Sequence, residues 1–143
     1  MELRLGMDNY TDVTLANWFR GIDCILAYET AADFGNFTYS PIAGSPSYTV
    51  YSKIDVGISN VECILVDTFD GIDYFEEYGV RCTTLQQTII DLLRNDRDDE
   101  VIQQCIASYY FSHNETFAGL ELPDDVVPLF EDYREDSIHY FDN

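Results

Sequence analysis

The sequence predicts an α+β or α/β domain in which helices pack around a small mixed sheet. Three observations lead there. Residues 78–95 carry a complete strand–turn–helix signature. Segments of two-residue and of helical periodicity are interleaved along the chain, as in a layered fold. A chain of 143 residues, 46% hydrophobic and 15% aromatic, is long and apolar enough for a single domain, 1–143, with its own core.

Within residues 78–95, Val80 and Cys82 alternate with Arg81 and Thr83, the pattern of a half-buried strand. Thr84 followed by Gln87 has the spacing of a capping box; Thr83 followed by Gln86 has the same spacing, so two helix starts one residue apart satisfy the rule. Leu85, Ile89, Leu92 and Leu93 then form one apolar stripe. Arg94 and Arg97 stand near the helix end, where the macrodipole favours cations.

Taken in order, residues 1–12 are polar and read as an edge or a loose arm. Residues 13–19 read as a short helix with Leu15, Trp18 and Phe19 inward, ended by Gly21. Residues 22–34 read as a second helix, with Ile25, Leu26, Tyr28, Ala31, Ala32 and Phe34 apolar and Gly35-Asn36 as its stop. Pro41, Gly44 and Pro46 make 38–47 a loop. Residues 47–51 alternate as a strand does, 53–60 turn around Gly57, and 61–66 read as a second, more buried strand. Residues 67–78, acidic and aromatic, read as a connecting excursion. After a polar break at 95–99, Asp98 or Asp99 caps a helix reaching residue 112, striped by Val101, Ile102, Cys105, Ile106, Tyr109 and Tyr110. Pro123 and Asp124 open a last short helix, disturbed by Pro128, in an acidic C-terminal extension, 113–143.

Charge narrows the function more than any motif. The chain has 27 acidic and 7 basic residues, a net charge of -20, and Lys53 is its only lysine. Residues 98–143 hold 12 acids and one base, so the last third carries more than half of the excess. Such a surface repels nucleic acid and anionic membranes and is steered toward cationic partners. Solubility or a high-salt habitat is the plainer explanation, although a net magnitude of roughly 2–8 already serves solubility in a small domain.

Cys24, Cys63, Cys82 and Cys105 are widely spaced, form no C-x-x-C pair and lie in apolar settings. They read as reduced core residues, with a two-disulfide arrangement as the alternative. The N-terminal residues do not resemble a signal peptide, and no apolar run approaches membrane-spanning length, which predicts a cytoplasmic protein. The sequons at Asn36 and Asn114 are then coincidental.

Signatures of catalysis are lacking. His113 and His139 each stand without a second His or Cys at ligand spacing. There is no nucleophile elbow, P-loop or G-x-G-x-x-G. The run Asp96-Arg-Asp98-Asp99-Glu100 looks superficially like a calcium loop but lacks the central glycine, and Ala107 stands where the closing glutamate belongs. With 27 acids, paired carboxylates arise by chance. The expectation is a non-enzymatic protein without metal or cofactor.

The surface remains. Acids and aromatics interleave at 73–78, 130–133 and 140–142. Core rings flanked by solvated charge would look like this; so would a surface imitating nucleic acid, with carboxylates for phosphates and exposed rings as anchors. The candidate protein-binding residues are Asp124, Asp125, Glu131, Asp132, Glu135 and Asp136, with Asp73, Glu76 and Glu77 as a second group. On a helix, 131 and 135, like 132 and 136, repel one another at i, i+4 spacing, a cost that points to a use in binding.

The stretch Gly79-Val-Arg-Cys-Thr-Thr-Leu-Gln-Gln-Thr-Ile-Ile-Asp-Leu-Leu resembles the "G-hydrophobic-x-hydrophobic-[ST]-x-E-R-T-I-x-D-L" segment in the C-terminal domain of AbiEi-type antitoxins of type IV toxin–antitoxin systems. Cys24-Ile-Leu-Ala-Tyr-Glu-Thr-Ala-Ala-Asp-Phe-Gly is similar to that family's "A-hydrophobic-x-S-H-E-x-A-L" helix, residues 47–51 and 61–67 to its strands, and 99–112 to its following helix. The resemblance spans roughly residues 24–112. It departs at Gln86-Gln87 for the Glu-Arg pair and at Ala27-Tyr28 for the Ser-His pair. About 23 residues precede it, too few for the family's winged helix. The resemblance implies a fold and an interaction role rather than promoter binding. Joined to the charge, it leads to an expected inhibitor that imitates nucleic acid in the cationic groove of a nucleic-acid-handling protein, such as a Cas nuclease met by a phage anti-defence protein. The alternative is a stand-alone antitoxin neutralising a nucleotidyltransferase toxin; a small enzyme using paired carboxylates ranks last.

Overall fold

A computed structural model describes residues 11–39 and 47–142. Residues 1–10 of the predicted N-terminal arm and most of the loop around Pro41 and Pro46 lie outside those residues, while Thr11 and Asp12, assigned to the arm, open the first helix. The domain is α+β. Among the described residues it has five helices and one five-stranded mixed sheet, ordered β3-β2-β1-β5-β4. The elements are α1 (Thr11–Phe19), β1 (Cys24–Leu26), α2 (Tyr28–Phe34), β2 (Tyr48–Ser52), β3 (Val61–Leu65), β4 (Tyr74–Glu77), β5 (Val80–Thr83), α3 (Leu85–Arg94), α4 (Asp99–Ser112) and α5 (Val127–Ile138).

The helix predicted over 22–34 is a correction: its first half is the central strand. Cys24, Ile25 and Leu26 pair antiparallel with β2 and parallel with β5. A three-residue strand buried on both faces has no polar positions to alternate with, so it is indistinguishable from a helical apolar run. Strand and helix part at Tyr28, whose φ of 56° breaks the extended backbone. Neighbouring strands also reverse the predicted order of burial. β2 is buried throughout because it lies inside the sheet, while β3 is an edge strand with Glu62 and Leu65 exposed.

The excursion over 67–78 is likewise corrected. Its second part is β4, which pairs antiparallel with β5 from Tyr74↔Thr83 to Glu77↔Val80. β3 and β4 are opposite edges of the sheet. Four inter-strand steps of about 4.8 Å make that span roughly 19 Å, which the linker over 66–73 crosses with slack, since its nine residue steps could reach about 30 Å. Phe69 and Ile72 of this crossing pack on the core and anchor it.

The sheet separates two cores. Leu26, Val50, Val80 and Cys82 meet Leu15 and Phe19 of α1 and Ala31 and Phe34 of α2. Ile25 and Tyr51, on the opposite face by strand alternation, meet Ile89, Leu92, Val101, Ile102, Cys105 and Ile106 of α3 and α4. Leu15 and Phe19 are buried as predicted and Trp18 is half-buried.

The predicted strand–cap–helix stands, with Thr84 as N-cap: its hydroxyl accepts from the Gln87 N–H at 3.2 Å. The reciprocal half of the box is not made. Gln87 instead accepts from the Asp73 N–H at 3.0 Å and donates to Asp91 at 3.0 Å, and the Thr84 N–H goes to the Asp73 carbonyl at 3.1 Å. Thr83, the other cap candidate, bonds Thr88 through their hydroxyls at 2.8 Å. Asp98 caps α4, accepting from the N–H groups of Glu100 and Val101. Pro128 does not disturb the last helix. It stands in the first turn of α5, where its missing N–H has no partner to lose, and the helix runs twelve residues. Val126 and Phe130 are buried in the same core as α3 and α4, so the acidic last third is part of the folded body.

Leu92 is fully buried at the centre of that core. Leu92→Ala is expected to cost about 2–5 kcal/mol in chemical denaturation. Leu92→Asp should abolish the cooperative transition, because an unpaired buried charge exceeds marginal stability; a parent-like melt would refute this placement of α3.

Candidate functional site

The acidic segments of the last third come together because α5 packs on α4. Phe130 and Ser137 face inward, the Ser137 hydroxyl donating to the Tyr133 carbonyl at 2.7 Å. Glu131, Asp132, Glu135 and Asp136 consequently point outward and are exposed. Two tyrosines tie this helix and its end to the start of α4: Tyr133 donates to the Asp99 carboxylate, and Tyr140 to Glu100 at 2.8 Å. Two acid runs far apart in sequence, Asp96–Glu100 and Glu131–Asp136, therefore share one ridge.

Both tyrosine hydroxyls are held in their protonated form. The bond to Asp99, reinforced by burial and by the charges of Asp99, Asp96 and Asp132, pushes the Tyr133 hydroxyl up to about 12. Burial, together with the bond to Glu100, does the same to Tyr140. His139 lies between Asp142 at 2.6 Å and Glu135 at 3.2 Å, and these carboxylates hold its pKa above the usual histidine value.

Of the predicted binding residues, the four on α5 form the ridge and Asp124 lies exposed in the turn leading into it. Asp125 is engaged: Arg94 holds it with two bonds of 2.9 Å and depresses its pKa. Asp73, Glu76 and Glu77 lie apart, at the β4 edge of the sheet. Asp73 accepts from the Thr84 hydroxyl at 2.9 Å, and Glu76 stands opposite Arg81 in the strand register. Asp96–Glu100, which the ridge needs, drew notice in the sequence only as a helix cap and an incomplete calcium loop. The signal was its charge density; what it joins depends on two tyrosine side chains.

Two cations, Arg97 and Arg134, stand within the two acid runs in sequence, but their side chains meet other partners. Arg97 makes bonds of 2.9–3.2 Å to Glu29, touches Glu62 at 3.3 Å and stacks over Tyr28. Arg81 and Lys53 pair with Asp23. Arg20 donates to the Tyr78 carbonyl, and Arg134 lies over Phe117. Among the described residues, no Lys or Arg forms an ion pair with Glu131, Asp132, Glu135 or Asp136.

An open groove of about 480 Å³ lies where β1, β5 and β4 meet, lined by Asp23, Tyr74, Glu76 and Arg81. It sets two carboxylates, Asp23 and Glu76, against one guanidinium, Arg81, and burial pushes the thiol of Cys24 at its edge up to about 12. The four cysteines are free, and burial raises the pKa of Cys82 and Cys105 as well. His113 stacks on Tyr109 at 3.8 Å, with Nδ1 bonded to the Tyr109 carbonyl. The described residues contain no group of three or more His, Cys, Asp or Glu side chains placed to hold a metal ion, and no helix long and apolar enough to cross a membrane.

No family model matches the chain, and no curated protein does.

Among the described residues, Asp91 is the one buried carboxylate. It is 4% exposed; Gln87 satisfies Oδ1 and Oδ2 has no partner. Burial raises its pKa, offset in part by Tyr51, Gln87 and Arg94. The folded state thus holds the proton longer than the unfolded one, so the contribution of Asp91 is fully present below its unfolded pKa near 3.8 and is lost as pH rises through the folded value. Asp91→Asn should flatten the stability–pH profile from about pH 4 upward, read by urea denaturation across that range; an unchanged slope would refute it.

Proposed function

We propose that this protein is a non-catalytic inhibitor that occupies the cationic groove of a nucleic-acid-handling protein by imitating nucleic acid. In its most concrete form it is an anti-defence protein of the anti-CRISPR type, working in the bacterial cytoplasm against a Cas nuclease. One observation carries the reading: two acid runs merge into a ridge while the described arginines and the lysine are engaged elsewhere in the fold. Like charge gathered without compensation costs the free protein stability, and a basic partner would recover that cost on binding.

A second reading, a stand-alone AbiEi-like antitoxin facing a nucleotidyltransferase toxin, draws on residues 79–93. Thr88 and Asp91 of that stretch are buried, and Thr88 bonds Thr83 and the Thr84 carbonyl. Their likeness to the family concerns how the chain folds. A toxin, like a nuclease, would be met through the ridge. A nucleotidyltransferase gene beside this one favours the antitoxin; other anti-defence genes favour the inhibitor.

At moderate salt the purified protein is expected to leave DNA and RNA unshifted on a gel at micromolar concentration, since such binding rests on cations that neutralise phosphates. With the partner captured from host lysate on a sensor surface, Glu131→Lys, Asp132→Lys and Asp136→Lys together should slow association roughly tenfold at low salt and much less at high salt. The matched reversals at Asp67, Asp70 and Glu115 should have a smaller effect. Equal loss from both sets would mean that net charge acts diffusely, and a shifted gel would overturn both readings.

A further inference from the structure

Beside the acid ridge, the end of the chain gathers aromatic rings along one face of α4. Tyr39 and Tyr140 stack with centroids 5.7 Å apart. Phe141 stands edge-on to both, at 4.8 and 5.2 Å, and tilts against Phe111 at 5.3 Å. The rings are held by a short polar chain. The Tyr39 N–H donates to Gln104 Oε1 at 2.6 Å, Gln104 Nε2 donates to Glu100 at 3.0 Å, and the Tyr140 hydroxyl donates to the same Glu100 oxygen at 2.8 Å. Glu100 and Gln104 are one turn apart, so helix geometry fixes where the rings sit.

Rings fastened this way could have been buried. Instead Phe141 is 55% and Tyr39 46% exposed. The rim is acidic: Glu100 is bonded to Tyr140, Asp142 follows Phe141 in the chain, and Glu135 faces Asp142 across His139. Arg134, the basic residue of α5, lies over Phe117 instead.

We propose that the Tyr39–Tyr140–Phe141 cluster is the docking site for an arginine side chain on the surface of a cationic protein partner. The inference rests on the reading of the acid ridge as a surface for such a partner and deepens it by naming the anchor. Aromatic faces attract a cation through the ring quadrupole, and the planar, weakly hydrated guanidinium stacks on them better than an ammonium does. Its N–H fork remains free to reach Glu100 or Asp142. A nucleobase would stack on the same rings, but its phosphates would meet the acidic rim. A second copy of this chain would bring a further net charge of -20.

The test uses the full chain with two probes, a nona-arginine and a nona-lysine peptide, in calorimetry and in NMR with labelled protein. Expected are binding of the arginine peptide roughly threefold or more tighter than the lysine peptide, and shifts of the Tyr39, Tyr140 and Phe141 ring resonances on titration. Phe141→Leu, at an exposed position, should keep the parent melting profile and remove the preference while leaving the lysine peptide's affinity unchanged. If Phe141→Leu fails to fold, the ring shifts of the parent chain decide. Equal affinity for the two peptides, with shifts confined to Glu131, Asp132 and Asp136, overturns the anchor and leaves the ridge standing. No binding of either peptide at low salt overturns both. Ring shifts produced by a single-stranded oligothymidine would assign the cluster to nucleic acid and overturn the proposal.

Discussion

Seven basic residues must serve a chain with 27 carboxylates, and this imbalance limits where ion pairs can form. A cation left on the surface would do little, because exposed ion pairs contribute only about 0–1 kcal/mol. Lys53–Asp23 and Arg94–Asp125 are themselves such exposed pairs, so what the described cations supply is mainly a link between elements. Arg97 follows α3 and reaches Glu29 on α2, Glu62 on β3 and Thr49 on β2, its guanidinium lying on the Tyr28 ring. Arg94 joins the end of α3 to the turn before α5 through Asp125, and Arg81 joins β5 to Asp23 just ahead of β1. The first glutamates and aspartates to be satisfied are thus the ones at the seams of the fold.

Neutral groups do the same at the start of α3. Gln87 accepts from the Asp73 N–H, and Gln86 accepts from the Glu121 N–H at 2.7 Å. Two adjacent amides hold the crossing from β3 to β4 on one side and the approach to α5 on the other. An ionised glutamate could still accept at either place, but an arginine could not, since it has no acceptor.

What was legible in the sequence is what local physics determines. Thr84 and Asp98 cap their helices because a β-region residue with a short oxygen side chain stands before an apolar stripe, and Ile89 and Leu92 are core because the stripe has nowhere else to go. What was illegible depends on contacts remote in sequence. The three-residue β1 looks helical until β2 and β5 flank it, and β4 looks like loop until β5 pairs with it. The candidate site divides in the same way. Acids on one face of α5 follow from i, i+4 spacing, whereas their union with Asp96–Glu100 requires the Tyr133 and Tyr140 hydroxyls to arrive. Asp73 and Asp125 look like free charges in sequence and are hydrogen-bonded in the fold.

The central strand has a consequence in time. Ile25 pairs with Tyr51 on one side and with Arg81 on the other, and the latter contact closes a loop of more than half the described chain up to that point. Closing it restricts many residues before any parallel hydrogen bond compensates, which places the domain between helical bundles and all-β folds in expected folding rate. On a ribosome, β1 can collect its antiparallel neighbour early but must wait for β5, and Ile25 and Tyr51 stay uncovered until α3 and α4 emerge. During that interval the nascent chain displays an apolar sheet face, and the later acids that discourage self-association have not yet been made.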